Sequence, residues 1–331
     1  MPDAQMAFVH ASDLHIAANI VSNRFQFFSG YSPHDIQLCR GFEEAFVDAG
    51  ITCGDNNLKL VVTGDLNAGG LQTEFAAAHT YLTSVWVCAR RGGPNDKVGL
   101  DLPLNRIETI PGNHDHWDGS RFPVHSYRPN AVAPHFRKLP WRHCWSDNTE
   151  SLELELFAID SNSGAIGRNP LGQGIIAASD FNTLQQLLQS SPPVRTGAIR
   201  VRAILIHHSL SYRGPLLIPR VLAPLVLDQS SVDTLVDLST QNGVSAILTG
   251  HTHDVFHYTF WRTIAGNYRE VHEIRSPTTL QGPAAKTGAG FLLHQISVDQ
   301  QTGPRWTTWH YAWDGSQFVV TPQPLVRFRT V

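Results

Sequence analysis

Five short apolar segments, each ending abruptly in Asp, Asn or His, constrain the fold of this chain more than any other feature. They are MAFVHASDLH, LKLVVTGDLN, RIETIPGNHD, VRAILIHH and SAILTGHTH. Runs of Val, Ile and Leu without strict alternation are typical of strands that are covered on both faces. Helical patterns separate these runs, around GFEEAFVDAG, TEFAAAHTYLTSVWVCARR, ASDFNTLQQLLQS and SSVDTLVDLSTQN. The alternation predicts an α/β fold with βαβ crossovers and largely parallel strand pairing.

Beyond residue 254 the pattern changes, because VFHYTFWR, REVHEIRS, GAGFLLHQISV and RWTTWHYAWDGSQFVV follow one another without a helical pattern. These segments predict a second, mostly antiparallel sheet that packs against the first. We find no repeat and no linker. We therefore predict one domain over residues 1–331, with a motif-bearing α/β part over 1–253 and a β-rich part over 254–331 that completes the second sheet. A separate C-terminal β-domain is the alternative.

Composition and targeting signals indicate a soluble, cytoplasmic protein. The 331 residues are 42% hydrophobic and carry a formal charge of −3, which gives no general attraction to nucleic acid or to acidic membranes. The four cysteines are far apart, without a C-x-x-C pair. We see neither a signal-peptide pattern at the N-terminus nor an apolar run of the roughly 18–20 residues that a membrane helix needs.

The polar residues that follow the strands are expected to meet in one crevice, because ligands of open α/β sheets gather beyond the carboxyl ends of the strands. Residues two apart in an extended chain project to the same side. Asp13 and His15 can therefore reach one point, and so can His251 and His253. His207 and His208 are adjacent and should diverge, so that only one of them enters the site.

This set of side chains offers oxygen and imidazole nitrogen but no thiolate, which suits manganese, iron or zinc. It contains more ligands than one tetrahedral ion needs, and two ions that share a carboxylate would use them all. Each motif taken alone is open to another interpretation, since D-x-H and Gly-Asp also occur as caps and turns. The presence of all five in order favours a shared metal site.

The motifs SDLH, GDLN, GNHD, HH and GHTH, in that order, resemble those of the calcineurin-like metallophosphoesterase superfamily, over about residues 8–253. The resemblance implies a two-sheet αββα sandwich. It also implies two metal ions, with Asp65 as the ligand that bridges them. The ligands of the first ion would be Asp13, His15, Asp65 and His253, and those of the second Asp65, Asn113, His207 and His251. His207 is preferred to His208 because the ligand of the family directly follows its strand.

The same resemblance implies that the chain hydrolyses a phosphate ester with water activated at the metal pair. His114 would be the general acid, which either donates a proton to the leaving alkoxide or stabilises the phosphorane-like charge. Gly112 would permit the tight turn, and we interpret Asp115 as a cap of that turn rather than a ligand. Many relatives carry an acid three positions after the bridging aspartate, but this chain has Ala68 there. His114 must therefore have another orienting partner or act without one.

A basic segment follows the GNHD motif. Residues 119–146 contain five Arg or Lys and no Asp or Glu, together with five aromatic residues. The segment can form a substrate rim for an anionic, ring-bearing ligand such as a nucleotide, with Arg121 and Arg128 as candidates and Arg213 as a second rim position. Alternatively, it is a surface excursion whose aromatic side chains pack beneath it.

Within the superfamily, the chain is most similar to the cyclic nucleotide and glycerophosphodiester phosphodiesterases, because it has a β-rich tail and lacks the GDxxDRG and GNHE sequences of protein phosphatases. We therefore predict a phosphodiesterase that acts on a nucleotide or another small phosphodiester. A phosphomonoesterase and a non-catalytic metal-binding scaffold are the alternatives. The lack of an extended basic stripe disfavours a nuclease, and the oligomeric state stays open.

Overall fold

In the computed structural model of the chain, the residues whose structure is described are 4–17, 34–55, 57–88, 95–119, 128, 132–165, 173–211, 226–282, 288–299 and 303–330. Within them, the α-helices are α1 Ile36–Cys53, α2 Gln72–Thr83, α3 Ala178–Gln189 and α4 Gln229–Gln241. The strands are β1 Ala4–Ala11, β2 Lys59–Thr63, β3 Trp86–Cys88, β4 Asp96–Val98, β5 Ile107–Ile110, β6 Trp141–Ser146, β7 Leu152–Ala158, β8 Ile199–Leu205, β9 Ala246–Thr249, β10 Phe256–Ile264, β11 Asn267–Arg275, β12 Gly290–Asp299, β13 Gly303–Trp313, β14 Phe318–Val320 and β15 Val326–Arg329.

Two large sheets organise these strands. Sheet 1 has the order β14-β13-β12-β1-β2-β5, with β15 paired to β13, and sheet 2 has the order β10-β11-β9-β8-β7-β6. A small third sheet pairs β3 with β4. The predicted parallel pairing is confirmed, because β1, β2 and β5 run parallel in sheet 1 and β7, β8 and β9 run parallel in sheet 2.

The chain forms four layers, in the order helices, sheet, sheet, helices. Because side chains alternate along a strand, neighbours such as Phe8 and Val9 face opposite layers. Phe8 packs between the two sheets with residues of sheet 2 such as Leu154, whereas Val9 packs against α1 and α2. On the other side, α3 and α4 cover the outer face of sheet 2, where Leu184 and Leu235 are fully buried. The predicted αββα sandwich is confirmed.

The strands after residue 254 are divided between the two sheets instead of forming one sheet. β10 and β11 extend sheet 2 next to β9, whereas β12 pairs antiparallel with β1 and brings β13, β14 and β15 into sheet 1. In the parallel group of sheet 1, the edge strand β1 would leave backbone groups unpaired without β12, and in that of sheet 2 the edge strand β9 would do so without β11. Pairing at both of these edges satisfies more backbone hydrogen bonds than pairing at one. The sequence pattern predicts the strands but carries no information on which edge each one joins.

A further difference from the sequence-based expectation concerns the segment after α2. The helical pattern predicted over residues 73–91 ends at Thr83, after which Ser84 is extended and Trp86–Cys88 forms β3. Trp86 and Cys88 are both buried, so that the alternation of this short segment overrides the helical pattern before it.

None of the described helices combines the length and the apolar character that crossing a membrane requires.

The unpredicted strand β7 carries the sequence LELELFA and is buried along its whole length. Its glutamates are accommodated by arginines of β8, since Arg200 lies 2.6 Å from Glu153 and Arg202 lies 2.9 Å from Glu155. Buried carboxylates need such partners, and a single sequence segment does not show that they exist. The glutamates therefore make the sequence of β7, an interior strand of sheet 2, resemble that of an exposed segment.

Candidate metal centre

The five motif-bearing strand ends meet between the two sheets. The backbone N–H of Asp13, after β1, donates to the carbonyl of Gly64, after β2, at 3.1 Å. In sheet 2, the N–H of Gly250 donates to the carbonyl of His207 at 2.9 Å. The N–H of His251 then donates to Asp13 Oδ2 at 3.0 Å and joins the two sheets. The predicted convergence of these loops is therefore present in the fold.

Five of the seven predicted ligands have left-handed backbone conformations. Their φ angles are 54° at Asp13, 48° at His15, 51° at Asp65, 73° at His251 and 58° at His253. Such angles are uncommon for residues other than glycine and cluster at functional sites, where the surrounding structure maintains them. The loops are therefore shaped to aim these side chains rather than to minimise local strain.

The first group of potential ligands consists of Asp13, His15 and His253, whose nearest donor atoms lie within 4.8 Å of one another. His253 Nε2 lies 3.1 Å from Asp13 Oδ1, and His15 Nε2 lies 3.8 Å from the same oxygen. Burial alone would raise the pKa of Asp13, but His253 and His15 outweigh it and hold this pKa well below the usual range. Asp13 is therefore an anion in this group.

The second group consists of Asp65, His207 and His251, with Asn113 beside them. His207 Nε2 lies 3.5 Å from Asp65 Oδ2, 3.1 Å from Asn113 Oδ1 and 3.0 Å from His251 Nδ1. Burial would raise the pKa of Asp65, but His207 and His114 keep it far below its usual range. A fully buried carboxylate thus stays ionised beside two imidazoles.

Several imidazole nitrogens of this centre are buried and make no hydrogen bond within the described residues, which leaves them available to a metal ion. Neither ring nitrogen of the buried His15 has a hydrogen-bond partner among the described residues, and the same holds for Nε2 of His251. Burial would lower the pKa of His207, but Asp65 and then Asp13 raise it to about 9. A positive charge is therefore favoured where these ligands converge, and the donor set fits divalent ions that prefer oxygen and imidazole.

Hydrogen bonds behind the ligands fix the orientation of two of them. His207 Nδ1 donates to the carbonyl of Thr63 at 2.7 Å, which leaves Nε2 to face Asp65 and Asn113. The hydroxyl of Ser12 donates to Asp13 Oδ2 at 2.6 Å. Such outer contacts set the tautomer and the ring orientation of metal-binding histidines.

His114 stands at the edge of both groups. Its backbone N–H donates to Asp65 Oδ1 at 2.8 Å, and its ring Nε2 lies 3.8 Å from Asp65 Oδ2. Its Nδ1 donates to the carbonyl oxygen of Ala68 at 2.9 Å, so the residue that replaces the expected acid supplies a backbone acceptor instead. The ring packs against Trp117, with centroids 3.5 Å apart, and burial lowers the pKa of His114 to about 3.

The two adjacent histidines diverge, as the sequence predicts. His207 faces Asp65, whereas His208 Nδ1 lies 2.7 Å from the hydroxyl of Ser161. His208 is nevertheless buried, and its ring centroid lies 4.3 Å from that of His251. His208 thus supports the site from behind.

Asp115 accepts backbone hydrogen bonds from two motif loops, which confirms its interpretation as a turn cap. The N–H groups of Gly112, Asn67 and Leu66 lie 2.8, 3.2 and 3.3 Å from its carboxylate oxygens. Gly112 is required for a different reason than turn geometry, since a Cβ there would lie 2.1 Å from Asp65 Oδ1. The two loops are therefore held in close contact.

We expect the substitution Asp115→Ala to destabilise the chain by about 3 kcal/mol or more, because each buried N–H group left without an acceptor costs about 1–3 kcal/mol. Unfolding in urea, followed by circular dichroism, measures this free energy. Asp48→Ala on the exposed face of α1 is the control, with an expected change within about 0.5 kcal/mol. A loss below about 1 kcal/mol for Asp115→Ala would contradict the cap.

The described parts of the basic segment over residues 119–146 differ in their exposure to solvent. Arg128 is exposed and pairs with Asp118 at 3.0 Å, and its backbone N–H donates to the carbonyl of His116. The candidates Arg121 and Arg213 lie outside the described residues. Further along, Trp141 and Trp145 of β6 are buried between the sheets, which matches the alternative of aromatic residues packed beneath the surface.

A sixth strand end, after β7, reaches the site and was not predicted from the sequence. Asp160 Oδ2 lies 3.2 Å from His116 Nε2, in the turn that contains His114. Ser161, next in the chain, holds His208. The segment FAIDSN has the same form as the predicted motifs, an apolar run that ends in Asp, and this likeness was the available signal.

Comparison with known proteins gives one family. The family model described as Metallophos, calcineurin-like phosphoesterase, matches residues 6–255. No curated protein gives a significant match to the chain. Among solved structures, NAD nucleotidase from Haemophilus influenzae is similar at 9% sequence identity with a TM-score of 0.44, over 96% of this chain and 54% of that chain. The chain thus spans about half the length of that protein.

Proposed function

Because the chain belongs to the calcineurin-like phosphoesterase family, we propose that it is a two-metal phosphodiesterase that acts on a nucleotide or another small phosphodiester. Its membership makes it a metal-dependent hydrolase of phosphate esters, and the preference for diesters is the proposed part. The cytoplasmic location, and the choice among manganese, iron and zinc, stay predictions.

The ligands that we propose follow the two groups of side chains. Asp13, His15 and His253 would hold the first ion together with Asp65. Asp65 would share the second ion with Asn113, His207 and His251. The observation that carries this assignment is the position of Asp65 Oδ2, 3.9 Å from His15 Nε2 on one side and 3.5 Å from His207 Nε2 on the other. One carboxylate thus faces imidazoles of both groups.

The charge of the centre supports a phosphate ester as substrate. When bound, two divalent ions would acidify a bound water and neutralise phosphoryl oxygens. Asp13 and Asp65 contribute only two negative charges against the four positive charges of two divalent ions. The other ligands would bind as neutral groups, so the centre would stay net positive. Such a centre attracts an anionic ester and disfavours uncharged substrates.

We assign His114 the role of proton donor to the leaving oxygen. Its Nδ1 is held by the carbonyl of Ala68, which directs Nε2 towards the centre. Donation from Nε2 requires a doubly protonated ring, since Nδ1 already carries the proton of the hydrogen bond to the Ala68 carbonyl. An anionic phosphate group beside Nε2 favours that form, and Trp117 keeps the ring in place by packing on its face.

A substrate panel tests the proposal. The chain is reconstituted in turn with Mn²⁺, Fe²⁺ and Zn²⁺, and turnover of bis(4-nitrophenyl) phosphate is compared with that of 4-nitrophenyl phosphate and of 3′,5′-cyclic nucleotides. We expect kcat/KM for the diesters to exceed that for the monoester by at least about 10-fold, which corresponds to 1.4 kcal/mol. A preference for the monoester would replace the proposal by a phosphomonoesterase. Two bound metals without turnover of any ester would favour a scaffold.

A further inference from the structure

One peptide group, between Ala68 and Gly69, connects a buried carboxylate to His114. Its carbonyl oxygen accepts a hydrogen bond from His114 Nδ1 at 2.9 Å. Its N–H group donates to Glu74 Oε2, also at 2.9 Å. Glu74 lies in the first turn of α2 and is 2% exposed. The two hydrogen bonds thus place Glu74 and His114 on opposite sides of the same planar group.

Neighbouring contacts hold this peptide in place. The N–H of Ala68 donates to the carbonyl of Ile16 at 3.1 Å, which ties the loop to the one that carries His15. The N–H of Gly70 donates to Asn67 Oδ1 at 2.5 Å, so the loop also closes on itself. Ala68 is completely buried. The carbonyl oxygen that His114 contacts therefore has little freedom to move.

The planarity of the peptide bond lets one hydrogen bond strengthen the other. Resonance couples the N–H and C=O groups, so a carboxylate that accepts from the N–H increases the negative charge on the carbonyl oxygen. Hydrogen bonds in such chains reinforce each other by about 10–30% per bond. A carbonyl polarised in this way is a stronger acceptor for the Nδ1–H of His114 than an ordinary backbone carbonyl.

We propose that Glu74 is a positioning residue for His114 and acts through the peptide between Ala68 and Gly69. Through this peptide group, Glu74 would take the place of the carboxylate that is missing at position 68. It fixes the ring with its proton on Nδ1 and with Nε2 turned to the metal centre. The inference rests on the proposed role of His114 in catalysis, but the orientation itself can be tested separately.

Glu74 also has a simpler role, because the N–H of Leu71 donates to Glu74 Oε2 at 3.3 Å and caps α2. A cap alone would affect the stability of the helix but not the tautomer of a histidine. Asp228 provides the matched control, since its carboxylate accepts from the N–H groups of Ser230 and Ser231 at the start of α4. Asp228→Ala removes a cap of the same kind without the contact to His114.

The first test measures the tautomer directly. The 331-residue chain, labelled with ¹⁵N-histidine and without added metal, is studied by long-range ¹H–¹⁵N correlation spectroscopy, and the His114 signal is assigned by its loss in His114→Ala. We expect the Nδ1–H tautomer in the wild type and in Asp228→Ala. In Glu74→Ala we expect a mixture of tautomers, with partial rescue in Glu74→Gln, which keeps an acceptor oxygen. An unchanged His114 signal in Glu74→Ala overturns the proposal.

The second test is a double-mutant cycle in the metal-loaded enzyme. We expect Glu74→Ala to lower kcat for an alkyl phosphodiester by about 10-fold or more, as removal of outer partners of site residues typically does, with little change in KM. In the His114→Ala background the same substitution should have no further effect on kcat. An equal loss in both backgrounds means that Glu74 does not act through His114. If His114→Ala itself is fully active, the proposed catalytic role of His114 is refuted. The tautomer test still decides whether Glu74 orients the His114 ring.

Discussion

Replacement of Asp65 by Asn is expected to remove at least one of the two proposed metal ions and to lower turnover by about 10³-fold or more. Several kcal/mol of transition-state stabilisation depend on such a metal pair, and each 1.36 kcal/mol corresponds to a factor of 10 in rate. Asp65 belongs to the group with His207 and His251 and also to a third group of potential ligands, with His15 and His114. No other acidic residue in these groups belongs to two of them, and the effect should exceed that of losing a terminal ligand.

The change to Asn keeps the shape of the side chain, and an amide oxygen can still accept the hydrogen bond that the N–H of His114 makes with Asp65 Oδ1 at 2.8 Å. The expected loss is therefore one of charge and not of fold. Metal content is measured by inductively coupled plasma mass spectrometry after gel filtration, and turnover with bis(4-nitrophenyl) phosphate. Thermal unfolding with and without Mn²⁺ shows whether an ion stabilises the folded state.

Asp48→Asn makes the same chemical change in an exposed residue of α1 that belongs to neither group of ligands. This control should keep its metal content and turnover. Should Asp65→Asn retain two ions and most of its activity, the bridging position of Asp65 would be refuted and the two groups would have to be redrawn.

The positions of the metal-centre residues could be predicted because they depend on strand ends, which are a local property of the sequence. A run such as VRAILIHH indicates both the strand and the residue that leaves it, and the packing of sheet 2 against sheet 1 then brings His207 near Asp65. Adjacent residues diverge, which excludes one of His207 and His208 from the site. The expectation that the strand ends share a crevice follows from periodicity and the rule that ligands gather at the carboxyl ends of strands, whereas the two-sheet sandwich and the assignment of ligands to two ions came from the resemblance to the family.

Other features depend on contacts between distant segments and could not be predicted. The split of β10–β15 between two sheets is decided by which edges remain open after the parallel strands have paired. The burial of Glu153 and Glu155 is possible only because arginines of β8 lie beside them. Neither partner is identifiable from its own segment.

The partner of His114 is the clearest case of this limit. The sequence shows that Ala68 has no acidic side chain, and this observation correctly indicates a departure from the family pattern. It does not show that the backbone of the same residue can accept the hydrogen bond, or that Glu74 contacts the other end of that peptide group. Both depend on the conformation of the loop between β2 and α2, which is fixed by its contacts with Ile16 and with the turn at Asp115.

His114→Ala is expected to retain both metal ions and to lose turnover by about 10²–10⁴-fold, the usual contribution of a general acid, for esters with poor leaving groups. The loss should be much smaller for bis(4-nitrophenyl) phosphate, because 4-nitrophenolate is a stable anion that leaves without a proton. The substitution removes the ring but leaves the backbone N–H that donates to Asp65 Oδ1. The ligand groups are therefore expected to remain in place.

A series of aryl and alkyl phosphodiesters of increasing leaving-group pKa measures this difference, with metal content determined on the same samples. His79→Ala, an exposed histidine of α2, is the control and should follow the wild type across the series. A steeper dependence of log kcat on leaving-group pKa in His114→Ala supports proton donation, because only the transition states that need a proton lose stabilisation. A loss of metal would instead place His114 among the ligands, where its Nε2, 3.8 Å from Asp65 Oδ2, could also serve. A uniform loss of turnover with both ions retained would contradict proton donation and indicate that His114 stabilises charge on the phosphoryl group.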